Sequence, residues 1–184
     1  MTSLNSELII DSDVIRHNIS YIKGKIKNKS NFMAVIKSDA YGHHLEKLVP
    51  DIDDIVDGYG VVRIGEAKKI RKFSDKKVLL MQGVYSQLDY KRSKDLNLDL
   101  VVHNNDQFEL VAKNKNFNNL WMKVNTGMNR LGFEIDEFIN IYNEYLSNSE
   151  FVLMSHLAAS NDKSASSNKS QFKSFRNLSN KMNK

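Results

Sequence analysis

Short apolar runs alternate along this chain with stretches whose apolar residues recur at helical spacing. Leu8-Ile9-Ile10 comes first. Asp11 or Ser12 then offers a cap to a helix carrying Val14, Ile15, Ile19, Ile22 and Ile26 on one face. Phe32 to Ile36 reads as a buried strand. A second helical stretch begins near Tyr41 and is expected to break at Pro50, the only proline. Further strands are predicted at Tyr59–Val62, Val78–Met81, Leu100–Val102, Leu120–Val124 and Phe151–Met154. Helical patterns fall between them, at Glu66–Phe73, Gln87–Lys94, Asp106–Lys113 and Glu134–Leu146.

Strands without strict alternation, separated by helices, predict βαβ units and a parallel sheet. A doubly wound sheet and a (β/α)8 barrel both fit the rhythm. A barrel of this kind takes about 250 residues and eight strands, so a chain of 184 residues with six strands reads as an unfinished one. Phe172, Phe175, Leu178 and Met182 repeat at helical spacing near the C-terminus, predicting a last helix with an apolar face. Ser160–Ser170, rich in Ser, Asn and Lys, reads as a loop.

Composition narrows this picture little. An apolar fraction of 41% suits a globular chain. No apolar stretch approaches the roughly 20 residues that cross a bilayer, and Asp11 and Asp13 interrupt any signal-like start. With no cysteine, disulfides and thiolate metal sites are excluded. A cytoplasmic protein is expected. The net charge of +5 is local: six of the 27 basic residues lie from Lys163 onward with no acid among them, leaving 21 against 22 acidic residues elsewhere. A basic tail can touch nucleic acid, but no aromatic or Gly-rich pattern accompanies it, and a solvated helix face is expected instead.

Three segments could carry chemistry, each following an apolar strand. In Ala34-Val35-Ile36-Lys37-Ser38-Asp39-Ala40-Tyr41-Gly42-His43-His44, a lysine stands at the strand's C-terminal end, which faces the active site in parallel α/β folds. Desolvation at such a place favours a neutral amine able to form a Schiff base. Tyr41, four residues on, could reach the same ligand; a surface lysine at a strand end is the simpler alternative. In Trp121-Met122-Lys123-Val124-Asn125-Thr126-Gly127-Met128-Asn129-Arg130-Leu131-Gly132-Phe133, cationic and polar groups crowd between two glycines that permit close backbone approach. Arg130 offers fixed donors to an anionic oxygen, or simply reaches solvent from a polar loop. In Ser155-His156-Leu157-Ala158-Ala159, the histidine is either a site group or a satisfied core residue. His17, His43, His44 and His103 share no metal-ligand spacing.

Together the three segments resemble the alanine racemase family, in its order and across essentially the whole chain. The first resembles a strand ending in Lys and followed by Ala-Tyr-Gly-His. The second is similar to Lys-Val-Asp-Thr-Gly-Met-Asn-Arg-Leu-Gly-Phe, and the third to Thr-His-Phe-Ala. The resemblance selects a partial (β/α)8 barrel of about six βα units, spanning 1–184 as one incomplete pyridoxal 5'-phosphate-binding domain. It implies interconversion of L- and D-alanine, supplying D-alanine for peptidoglycan. Lys37 would carry the cofactor and act as one of two acid–base groups. Tyr41 would hold the phosphate, Arg130 would contact the cofactor's phenolic oxygen and the substrate, and His156 would join the hydrogen bonds under the ring. Lys123 matches a lysine carbamylated in some members.

Local departures are Asn125 for Asp, Ser38-Asp39 for Ala-Asn, and His44 for Gly; they imply altered tuning rather than a different reaction. The family's β-rich C-terminal domain, further phosphate ligands and the tyrosine that serves as second base, reaching across a homodimer, have no counterpart in these residues. The chain therefore reads as an N-terminal fragment without racemase activity of its own. A non-catalytic barrel binding the same cofactor, and a racemase for another amino acid such as serine, are the alternatives.

Overall fold

The computed structural model describes residues 7–26, 30–114 and 119–182. They fall into two compact units, Met1–Leu79 and Leu80–Lys184.

In the first unit, Asp11 caps α1 (Ser12–Lys23), its carboxylate accepting from the N–H groups of Asp13 at 3.0 Å and Val14 at 3.2 Å. This satisfies two donors that the first helical turn would otherwise leave open. Ile26 lies beyond the end of that helix. Strand β1 (Met33–Val35) pairs in parallel with β2 (Gly58–Val61), Ala34 opposite Tyr59, and β3 (Lys77–Leu80) follows β2 in the sheet. Between β1 and β2 run a short turn α2 (Lys37–Tyr41), helix α3 (Leu45–Ile52) and a 3-10 turn at Asp53–Ile55. Helix α4 (Ile64–Ile70) follows β2.

Pro50 does not break the second helical stretch, which starts at Leu45 and runs through the proline to Ile52. An interior proline costs a helix about 3 kcal/mol. Leu45, Leu48, Val49 and Ile52 are all buried, and each such side chain contributes roughly 1.5–3 kcal/mol. Burial therefore outweighs the break. Arg16 ties α1 to the turn after α3, donating to both carboxylate oxygens of Asp54 and to the Asp51 carbonyl.

In the second unit, β4 (Asp99–Val102), β5 (Leu120–Lys123) and β6 (Val152–Met154) are successive parallel strands, with Val101 opposite Trp121 and Trp121 opposite Val152. Helices α5 (Gln87–Asp95), α6 (Asn105–Lys113) and α7 (Ile135–Ile141) lie between strands, and a π-helical turn extends α7 over Tyr142–Leu146. Each predicted strand is present within one or two residues of its expected bounds. Strand order follows chain order within each unit, without the reversal that marks a doubly wound sheet.

The last helix, α8 (Ser166–Met182), begins inside the segment expected to be a loop. Its apolar face is only partly covered: Leu178 is buried, while Phe172 is 58% exposed. Lys163, Lys169, Lys173, Arg176 and Lys181 are all exposed. Among the described residues no helix is long and apolar enough to cross a membrane.

Candidate functional site

Lys37 stands just past the C-terminal end of β1, where Ile36 still donates its N–H to the Gly60 carbonyl at 2.9 Å. The backbone then enters a left-handed helical turn, with φ of 55° at Ser38, 54° at Asp39, 56° at Ala40 and 53° at Tyr41. L-residues resist this conformation by roughly 1–2 kcal/mol each, and none of the four is glycine. The surroundings must hold it. Glu66, on the first turn of α4, accepts from the Ser38 N–H at 2.6 Å through one carboxylate oxygen. Its other oxygen accepts from the N–H groups of Val62 and Arg63, each at 3.1 Å. One side chain thus clamps the Lys37 turn to the end of β2.

Asp39 closes the other side of the turn. Its carboxylate accepts from the Leu45 N–H at 3.1 Å and lies 3.2 Å from His44 Nδ1. The Leu45 hydrogen bond, with Lys69 and His44 adding to it, holds the Asp39 carboxyl below its usual range. His44 stands where the family resemblance places glycine, and it does adopt a positive φ of 56°. The turn brings Lys37 and Tyr41 side by side, the amine 6.0 Å from the centre of the phenol ring. Lys37 is half-buried and Tyr41 is exposed.

In the second unit, Lys123 ends β5 with only 6% of its surface exposed. Burial first, and the Arg130 cation second, push its amine below the ordinary lysine range. Among the described residues no carboxylate pairs with it. His103, buried just after β4, is held down chiefly by burial, with the Lys123 charge adding to the effect. Its backbone N–H donates to Gln107 Oε1 at 3.1 Å, and its Nε2 lies 3.4 Å from the Tyr85 hydroxyl.

Arg130 rides on a loop whose ends are pinned together: Phe133 N–H donates to Lys123 O at 2.9 Å and Asn125 N–H to Phe133 O at 2.8 Å. Gly132 makes the closure possible. At φ +124°, a side chain there would meet the Asn125 nitrogen and the Val124 carbonyl carbon at 2.7 Å. Asn125 braces the interior, its Oδ1 accepting from Gly127 and Asn129 N–H at 3.0 Å and its Nδ2 donating to Glu134 at 2.8 Å. An aspartate at that position would set two carboxylates against each other, so the departure at 125 is matched by Glu134. Arg130 itself is exposed, as is His156, whose carbonyl accepts from Gln171.

The structure brings Lys37 to Tyr41 within one unit, and Lys123 into the electrostatic reach of Arg130 within the other. Sequence reasoning missed Glu66, His103 and Gln171. Glu66 left a signal, as the third residue of a helix whose flanking N–H groups need an acceptor. Gln171 left none, because its partners are 13 to 45 residues away. His103 is bonded locally to Gln107, but its burial and the Lys123 charge that bear on its ring come from the tertiary fold. Among the described residues no cluster of three potential metal ligands forms.

Residues 10–184 match the family described as the N-terminal domain of alanine racemase. An alanine racemase of Psychrobacter sp. is 32% identical over 178 residues, 93% of this chain and 47% of that protein. One from Mannheimia succiniciproducens is 38% identical over 142 residues, 75% of this chain and 39% of that protein. Among solved structures, the biosynthetic alanine racemase of Pseudomonas aeruginosa matches with a TM-score of 0.83 at 28% identity, over 92% of this chain and 49% of that one. The alanine racemase of Acinetobacter baumannii gives 0.79 at 27%, over 92% and 51%. The chain spans about half the length of the curated relatives it matches. These likenesses decide the fold left open by the strand pattern in favour of part of a (β/α)8 barrel, and they place this chain in the alanine racemase family.

Proposed function

We propose that this chain is the pyridoxal 5'-phosphate-binding part of an alanine racemase that interconverts L- and D-alanine as a cytoplasmic homodimer, supplying D-alanine for peptidoglycan. The observation that carries the reading is the clamped left-handed turn at Lys37. Strain of this kind persists only where the surroundings impose it, and it concentrates at functional sites. It sets a half-buried amine beside a phenol at a strand's C-terminal end. A primary amine beside a phenol suits an aromatic aldehyde such as this cofactor.

In this reading Lys37 holds the cofactor and moves a proton on one face of the substrate α-carbon. Tyr41 binds the phosphate, Arg130 orients the phenolic oxygen and the substrate, and His156 supports the ring. The cofactor, when bound, supplies the electron sink for the α-carbanion. Lys123 is a candidate for carbamylation: its depressed pKa keeps the amine nucleophilic toward carbon dioxide, and the resulting carbamate would turn a buried cation into an anion facing Arg130. Two-base racemisation needs a group on each face, and Lys37 covers one. The 184-residue chain is therefore expected to bind the cofactor without turning over alanine.

Borohydride reduction of the chain with pyridoxal 5'-phosphate, followed by peptide mass mapping, tests this. The label is expected on Lys37 and absent from K37A. Equal labelling of K37A would overturn the assignment, and racemisation by the homogeneous chain would overturn the half-site reading.

A further inference from the structure

A buried glutamine must satisfy two amide donors and an acceptor away from water. Gln171, on the second turn of α8, is 1% exposed. Its Oε1 accepts from the Ala158 N–H at 2.9 Å, and its Nε2 donates to the His156 carbonyl at 3.0 Å and to Thr126 Oγ1 at 3.2 Å. The opposite amide orientation would set oxygen against the His156 carbonyl and NH2 against the Ala158 N–H. The neighbours thus dictate the direction of every bond.

The order continues beyond Gln171. Ser155 Oγ donates its one proton to the Val124 carbonyl at 2.9 Å. The 2.8 Å contact between Ser155 and Thr126 hydroxyls therefore needs Thr126 as donor. Thr126, its proton committed, accepts from Gln171. A single chain of donors runs from Gln171 through Thr126 and Ser155 to Val124, the residue after Lys123. Gln171 also packs its Cγ against Gly127, where an added Cβ would sit 3.5 Å away. Thr126, Ser155, His156 and Gln171 line one cavity of about 150 Å³ together with Leu157 and Phe172.

We infer that Gln171 is a positioning residue that locks the loop after β5, which carries Arg130, and the loop after β6, which carries His156, into one register through this ordered hydrogen-bond chain. The register follows from the geometry; its consequence for the cofactor rests on the function proposed above. α8, which contributes no residue to the proposed site, would set the alignment of two loops that do.

The test uses Q171E, which keeps an acceptor for Ala158 and loses both donors. In the cofactor-free chain, amide hydrogen exchange over residues 125–132 and 155–158 is expected to rise about tenfold relative to wild type at neutral pH. The ratio should fall back toward one at mildly acidic pH, where the introduced carboxyl regains a donating proton. Helices α1 and α4 should keep wild-type exchange. Affinity for pyridoxal 5'-phosphate should weaken about tenfold with the same pH dependence. Unchanged exchange in both loops would overturn the inference, as would a rise spread equally through α1 and α4 or one indifferent to pH. Failure of the wild-type chain to bind the cofactor would sink the cofactor reading alone, with exchange still deciding the role of Gln171. If Q171E does not fold, T126V cuts the next link: faster exchange at 125–132 with Ala158 still protected supports the chain, and no change at either refutes it.

Discussion

Lys37 and Lys123 occupy the same kind of place, the C-terminal end of a parallel strand, yet their surroundings make them different reagents. Lys37 is half-buried, beside a phenol, and held by a backbone turn that is strained. Lys123 is buried on ordinary strand geometry, with the Arg130 cation as its charged neighbour and a buried His103 whose pKa is held low nearby. In the first unit the fold spends strain on the direction of an amine. In the second it spends desolvation on the charge of one. Strand-end position thus identifies candidates, and the local field and backbone decide their chemistry.

Four substitutions would break or sharpen this contrast. The largest effect is expected from G132A, because the new Cβ would meet backbone atoms rather than a movable side chain. It should lower unfolding free energy by about 2–4 kcal/mol in denaturant titrations. The Lys37 turn should stay intact, and a loss under half that size would mean the Arg130 loop yields. E66Q comes next: the NH2 of its carboxamide must face backbone N–H donors that a carboxylate oxygen accepted from. A loss of about 1–3 kcal/mol is expected, together with weaker labelling of Lys37. Wild-type labelling would show that the turn holds without the clamp.

K123M tests the other lysine and has the opposite sign. A lysine whose folded pKa is depressed binds fewer protons than in the unfolded chain. Stability then rises with pH between the folded and unfolded values and falls as pH drops through the folded one. Removing the amine removes that slope. K123M should therefore be more stable than wild type near neutrality by about 1–2 kcal/mol in carbon-dioxide-free buffer, and pH-resolved melts check it. A destabilised K123M would show that the amine has a stabilising partner.

The smallest effect is expected for D39N. Asp39 has a depressed carboxyl pKa, so its contribution is present above the unfolded value of about 4 and fades as pH falls through the folded value. D39N should flatten the acid limb of the wild-type profile. An unchanged limb would assign acid sensitivity to the other carboxyls held low, among them Asp57, by the Phe32 N–H first and then Lys23, and Asp54 and Glu46, chiefly by Arg16 and Lys72.

The order of elements was legible because each strand and helix is marked by apolar residues at its own period, and burial rewards those residues locally. Val78, Leu79 and Leu80, for example, announce β3 and are buried in it. Lys37, Lys123 and Arg130 were legible for a related reason: each follows a readable strand. Pro50 and Ser166–Ser170 were misread because local propensity was weighed without the contacts that override it. The four buried neighbours in α3 keep the proline helical, and α8 extends through serines whose side chains say loop.

By itself, then, the sequence determined the succession of βα units and the three strand ends where chemistry could lie. Only the tertiary structure decided the left-handed turn at Ser38–Tyr41, because no glycine announces it and its clamp, Glu66, comes from 28 residues away. The same holds for the buried state of Lys123, which pairs with no carboxylate among the described residues, and for the register set by Gln171, 45 residues beyond Thr126. Periodicity records which residues a chain buries. It does not record which distant donor or charge meets a given side chain once they are buried, and at Lys37, Lys123 and Gln171 that meeting sets the chemistry.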